Sequence, residues 1–515
     1  MKMSSKLLMI LNRLTSRLNQ SQISSEKALF LSSDFINERR GYYTTTKTKP
    51  GSESLYSKIS PLGSPGISVK PEIDGWVEKG NKVRVAELLR IIHDLRKRKR
   101  FTHALEVAEW MNENGVCKFT PTEYAVQLDL IGRVRGFQSA ENYFQSLPDQ
   151  DKTEKTYGAL LNCYVRQRQL DLALSHLRKM KEMGFASTAL TYNDIMCLYT
   201  NVGQYEKIPE LLTEMKENNV LPDNYSYRLC INSFGARSDI ESVKSILKEA
   251  ETKPHMAVDW NTYAVAANYF INAGLTDEAS DVLKKAEVRL DKKDGAGYNH
   301  LITLYAKLKK EDEILRLWEL EKSACQRCIN RDYITVLESL VRIGSVEAAE
   351  KVLKEWETSG NYNDFRVPRI VIAAYLEKGM IDKAEALLVS WKGKDLIPST
   401  WVDLARRYEE KGEMHKAICS MKEGLAHYDK NKGWKPDKRV IYSLLKWVGD
   451  EGNVEDAESF VDLLRNAIPV NRHMYYALIK AHVRNGNDVV ELLEKMKADK
   501  VEKDNEIEEI LGTVQ

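Results

Sequence analysis

The stretch that decides the fold is Leu190–Asp223, L-T-Y-N-D-I-M-C-L-Y-T-N-V-G-Q-Y-E-K-I-P-E-L-L-T-E-M-K-E-N-N-V-L-P-D. It holds two amphipathic helical patterns, parted by Gly203 and closed by Pro222-Asp223. The pattern recurs along the chain. Tyr157, Tyr192 and Tyr227 stand 35 residues apart, Tyr263 comes one residue late, and Tyr298 and Tyr333 return to the step of 35. Gly274 to Gly344 is twice 35, and Gly344 to Gly379 is 35 again. The steps to Gly412, Gly452 and Gly486 are 33, 40 and 34. A fixed period of this size marks a solenoid of stacked supersecondary units. About twelve units fit, starting near residues 86, 121, 154, 189, 224, 260, 295, 330, 365, 398, 438 and 472.

Within a unit numbered 1 to 35, with Tyr192 at position 4, the first helix carries apolar residues at 4, 7, 8 and 11. Tyr157, Leu160, Leu161 and Tyr164 show the spacing, one stripe of an α-helix. Glycine at 15 supplies the left-handed residue that ends a helix. The second helix has a small residue at 20 and large ones at 24 and 27, as in Ala173, Leu177 and Met180, or Ala349, Leu353 and Trp356. No unit can bury its stripe alone, so neighbours must stack. Pro209, at 21, is expected in the first turn of its helix, where proline is tolerated.

The 515 residues would ordinarily make several domains, but one solenoid can be any length. No apolar run reaches 18 residues, so no membrane insertion is expected. Seven scattered cysteines suit a reducing compartment. The net charge of +2 hides an asymmetry: residues 1–50 hold nine Lys/Arg against three Asp/Glu, leaving −4 on the rest. Coating nucleic acid by bulk charge is therefore excluded, and any such contact needs locally placed cations.

Met1–Arg40 is rich in Ser, Leu and basic residues and has no acid before Glu26. Leu7, Leu8, Ile10, Leu11, Leu14 and Leu18 can share a helical face, with Lys6, Arg13 and Arg17 outside it. That composition predicts an organellar transit peptide over residues 1–41, mitochondrial before chloroplast, with Arg40-Gly41-Tyr42 as the processing site. Residues 42–75, with their turn formers, are expected to be a flexible linker. The repeat array should fill 76–508 and a tail 509–515.

The period of 35, Thr191-Tyr192-Asn193, Gly at 15, Met180 and Met215 at 27, and Pro-Asp at 222–223 and 436–437 resemble the pentatricopeptide repeat family. The tetratricopeptide family wants glycine at position 8, where this chain has Leu161, Met196, Ile231, Ile302, Leu337 and Ile372. Units close to 35 throughout, with no deaminase-like tail, resemble the family's plain class. The resemblance implies an all-α, right-handed superhelical solenoid. Single-stranded organellar RNA would lie on the first helices, one base per repeat, read by polar side chains at 5 and 35 and wedged by an apolar residue at 2.

Carried onto this chain, that pattern marks Asn193 and Asp223 as a base-reading pair, Leu190 as the wedge, and Asn299 as a further base contact. Ordinary helix-start and helix-stop chemistry also accounts for Asn193 and Asp223. Other pairs depart from the code, among them Arg228/Asp259, Arg369/Ile397 and Tyr442/Asn471, and position 2 is often polar, as at Lys155, Arg331, Arg366 and Arg439. Position 13 is basic in six units: Arg98, Arg133, Arg166, Lys307, Arg342 and Arg484. In the family this position faces the groove, where such cations would follow phosphates without reading bases. Complementing the helix dipole is the competing explanation. The run Arg96–Arg100 adds a local cationic end.

Cys325-Gln326-Arg327-Cys328 has metal-type spacing but lacks a second pair, and no metal is expected. No H-E-x-x-H, G-x-S-x-G, P-loop or dinucleotide fingerprint is present, so neither cofactor, small-molecule substrate nor catalysis is expected. The chain reads as a mitochondrial single-stranded RNA-binding protein acting in transcript stability, processing or translation. The alternative is a protein-binding scaffold, with the mitochondrial ribosome as candidate partner.

Overall fold

The computed structural model describes residues 54–63, 66–325, 327–360, 364–391, 398–428 and 437–512. The expected transit peptide lies outside them. The chain divides into two compact units, Met1–Lys118 and Phe119–Gln515. Every regular element among the described residues is helical.

Among the described residues twelve helix pairs account for the periodicity. The first helices begin with Val85–Lys97 and continue through Pro121–Val134, Glu154–Arg166, Ala189–Val202 and onward to Arg472–Arg484. Each is followed by a second helix, such as Leu170–Glu182 or Val346–Thr358. Tyr157, Tyr192, Tyr227, Tyr263, Tyr298 and Tyr333 are all buried, as their position 4 requires. Ala173, Ala349 and Ala384 at position 20 are fully buried, where a larger side chain would hold the paired helices apart. Position 27 carries packing between repeats: Trp356 stacks on Trp391 with ring centroids 5.6 Å apart. Pro209 falls in the first turn of Lys207–Glu217, where no intrahelical N–H is lost.

The left-handed residue at position 15 is present whether or not the residue is glycine. Gly203 and Gly344 take φ of 78° and 88°, and so do Arg168 at 54°, Ser238 at 59° and Lys309 at 56°. Gly452 is different: its φ is not left-handed, and a Cβ there would come within 2.8 Å of the Val448 carbonyl oxygen.

Two boundaries differ from the sequence reading. Residues 42–75 are not a linker throughout, because Leu55–Ile59 and the start of Lys70–Glu78 are helical. Leu55, Ile59 and Val69 are buried. The Arg100 guanidinium donates to the carbonyls of Ser60, at 2.8 Å, and of Leu62. The Glu106 carboxylate accepts from the Val69 amide at 2.7 Å, and the Trp110 indole donates to Asp74 at 2.6 Å. These bonds fix the segment to the first repeat as a polar cap of the kind that terminal repeats need. At the other end Asn505–Gly512 is a helix that runs into the expected tail. Ile507 and Ile510 pack with Tyr475, Tyr476, Ile479 and Met496.

Candidate nucleic-acid interface

In the second unit each first helix packs against its own second helix and against the first helix of the next repeat, from Pro121–Val134 to Arg472–Arg484. Positions 2, 5, 9 and 13 then fall on one stripe of each first helix. Side chains on these stripes meet across repeats. Lys155 donates to Thr122 at 2.7 Å, both at position 2. Lys307 at 13 donates to Asn268, at 9 of the preceding repeat, at 2.6 Å. Lys480 at 9 pairs with Asp450, at 13 of the preceding repeat, at 3.0 Å.

The structure brings Asn193 and Asp223 together, and both are occupied. The Asn193 amide donates to Asp223 Oδ1 at 3.1 Å, and its Oδ1 accepts from the Ser226 hydroxyl at 2.7 Å. Asp223 also caps Asn224–Ala236 by accepting from the Ser226 amide at 2.8 Å. Asn193 is only 2% exposed. Leu190, one turn earlier, stands free at 52%. In the next repeat the corresponding pair is an ion pair, Arg228 to Asp259 at 2.9 Å. Asn299 does not meet the end of its own repeat. It donates to Asp332 at 2.7 Å and to the Gly295 carbonyl at 2.9 Å, and its Oδ1 is buried without a partner.

The cations chosen at position 13 divide into two groups. Arg133 and Arg166 converge on Asp129, at 3.0 and 2.5 Å. Arg484 donates to the Gly449 carbonyl at 3.0 Å. Lys307 is held by Asn268, and burial together with the nearby Arg342 lowers its pKa. Arg98, in the first unit, lies over the Tyr56 ring at 5.9 Å. Arg342 is exposed and has no hydrogen-bond or ion-pair partner among the described residues.

Three further cations on the same stripes share that state: Arg369 at position 5, Arg439 at 2 and Lys446 at 9. In the sequence Arg369 and Arg439 stand out only as departures from a code. A usable signal was the residue at 9 of the preceding repeat. It is Asp129 for Arg166 and Asn268 for Lys307, which bind them, but Thr303 for Arg342.

The opposite side of the array is built differently. Second helices are joined to their neighbours by ion pairs 33 or 34 residues apart. Lys216 meets Glu249 at 2.7 Å, Lys285 meets Glu251 at 2.8 Å, Lys322 meets Glu355 at 2.9 Å and Lys422 meets Asp456 at 2.7 Å. Lys181 and Glu214 make the same contact.

Two buried carboxyls were not anticipated. Burial pushes Asp194 up to about 7, against the opposing pull of the Asn162 hydrogen bond and Arg166. Burial pushes Glu321 up to about 8, with Asp332 adding to the effect. Glu321 occupies the position 27 slot, fully buried, with neither oxygen hydrogen-bonded. Among the described residues no group of His, Cys, Asp or Glu could hold a metal, and no helix is long and apolar enough to cross a membrane.

Comparison with known proteins fits this architecture. The sequence pattern of the PPR repeat family matches residues 188–236, and that of the pentatricopeptide repeat domain matches residues 155–201. A pentatricopeptide repeat-containing protein of Arabidopsis thaliana, named as mitochondrial, is 56% identical over 475 residues, covering 92% of this chain and 96% of that protein. A second from the same plant, also named as mitochondrial, is 33% identical over 440 residues, covering 84% of this chain and 89% of that one. The crystal structure of the maize pentatricopeptide repeat protein PPR10 aligns with a TM-score of 0.44 at 18% identity, covering 88% of this chain and 69% of that one. With its period, its twelve helix pairs and relatives matched along most of its length, this chain belongs to the pentatricopeptide repeat family, among its mitochondrial members.

Proposed function

We propose that this protein binds single-stranded RNA in the mitochondrion and acts on transcript stability, processing or translation by occupying RNA, with no chemistry of its own. The observation that carries this reading is the set of exposed cations Arg342, Arg369, Arg439 and Lys446 on the first helices Asn330–Ile343, Arg366–Glu377 and Lys438–Asp450, without partners among the described residues. In this reading a strand laid along those helices would meet them with its phosphates. An unpaired cation gives up no existing ion pair when phosphate arrives, and each contact releases a counterion.

In this reading the backbone is followed more than the bases are read. Asn193 and Asp223 form one polar step beside the Leu190 wedge, but their hydrogen bonds already serve the fold. The test is titration of a labelled single-stranded oligoribonucleotide with the purified full chain at several salt concentrations. Binding at low salt that weakens steadily as salt rises is expected. No binding at low salt overturns the reading and leaves the first-helix face to a protein ligand.

A further inference from the structure

The first helix Lys438–Asp450 carries a feature that a base-reading code does not use. Arg439, Tyr442 and Lys446 are spaced i, i+3, i+7, so they form one stripe with an aromatic ring between two cations. All three are exposed, Tyr442 by 37%. Neither cation has a hydrogen-bond or ion-pair partner among the described residues. The Tyr442 ring is backed by His473 of the next repeat at 4.6 Å, and His473 meets Tyr476 edge-on at 5.6 Å. A ring held by a neighbouring side chain and still exposed to solvent is a stacking platform for a base.

The surrounding acids are engaged elsewhere. Asp437 accepts from the Arg439 amide at 2.9 Å as the helix cap. Asp450 pairs with Lys480 at 3.0 Å, and Glu451 accepts from the Trp447 indole at 2.9 Å. Asn471, which would complete a base-reading pair with Tyr442, caps its own helix by accepting from the His473 amide at 3.1 Å. The repeat is left with a π-face and two free positive charges, while Asn471 is already engaged in its own helix cap.

We propose that Arg439, Tyr442 and Lys446 hold one unpaired RNA base by stacking on Tyr442, with the two cations on the flanking phosphates, whatever the base. The inference rests on the reading of the chain as an RNA-binding protein and adds a mode of contact to it. Stacking on an aromatic side chain is tolerant of sequence, because every base has a π-face.

The test titrates labelled single-stranded oligouridylate and oligoadenylate with the full chain and its variants. Tyr442→Ala should weaken both by about tenfold and leave the salt slope unchanged. Tyr442→Phe, which keeps the ring, should bind as the parent does. Arg439→Gln with Lys446→Gln should weaken binding and flatten the salt slope by about 0.7 per cation. Tyr442→Ala binding both RNAs as tightly as the parent overturns the stacking step and leaves the functional reading standing. A parent chain that binds neither RNA at low salt overturns that reading itself.

Discussion

The repeats beginning near residues 189 and 438 make opposite use of the same positions. The first holds Asn193 and Asp223, the pair that looks most like a base reader, and spends them on each other and on Ser226. The second holds Tyr442 and Asn471, which no code recognises, yet leaves Arg439, Tyr442 and Lys446 open to solvent. A residue's place in a repeat therefore does not decide whether it is available. Availability depends on what the neighbouring repeat places opposite it, and a polar group already satisfied inside the wall contributes to stability before it contributes to binding.

The largest effect expected from this contrast is on RNA. Replacing Arg342, Arg369, Arg439 and Lys446 together by Gln should weaken single-stranded RNA binding about a hundredfold at moderate salt. The matching set on the second helices, Lys216, Lys285, Lys322 and Lys422 to Gln, should leave RNA affinity unchanged, since those charges are already paired. Equal losses from the two sets would erase the distinction.

The next effect is on stability and depends on pH. Glu321 sits where other repeats have Met180, Met215 or Trp356, and its folded-state pKa is raised to about 8 from 4.5. The folded state thus binds more protons than the unfolded chain between those values, so stability falls as pH rises from about 4.5 to 8. Glu321→Met should remove that slope and raise stability at pH 8 by about 2 kcal/mol. Denaturant melts at pH 6 and 8 (roughly two points within the window) check it; parallel slopes in both proteins would contradict it.

Asn193→Ala should cost about 1–2 kcal/mol of stability by removing its buried hydrogen bonds with Ser226 and Asp223, while the folded variant keeps its RNA affinity within about twofold. A large, uridine-specific loss of affinity at unchanged stability would instead make Asn193 a base reader. The smallest effect belongs to a single rung of the second-helix ladder. Lys216→Gln should cost less than about 1 kcal/mol, measured by the same melts.

The repeat was legible because its physical cause is local. An apolar stripe that must be buried on a neighbour recurs with the neighbour, so Tyr157, Tyr192 and Tyr227 announce three stacked helices. The helix stop was only partly legible. Stacking imposes the left-handed residue, so Arg168, Ser238 and Lys309 adopt it at a cost of about 1 kcal/mol each, without the glycine that would have advertised it. Leu55–Ile59 was illegible because five residues carry too little periodicity. Bonds such as Arg100 to Ser60, formed 40 residues away, anchor the chain just beyond it. The pairing of cations was hidden for the same reason. Arg166 looks like Arg342 in its own repeat, and only Asp129, 37 residues back, separates their roles.

The most direct test of the distinction is amine-reactive footprinting of the lysines with and without single-stranded RNA, read by mass spectrometry. Lys446 should lose reactivity when RNA binds, while Lys216 and Lys285 keep theirs. Protection of Lys216 and Lys285 with Lys446 still reactive would place RNA on the opposite side of the array and contradict the account.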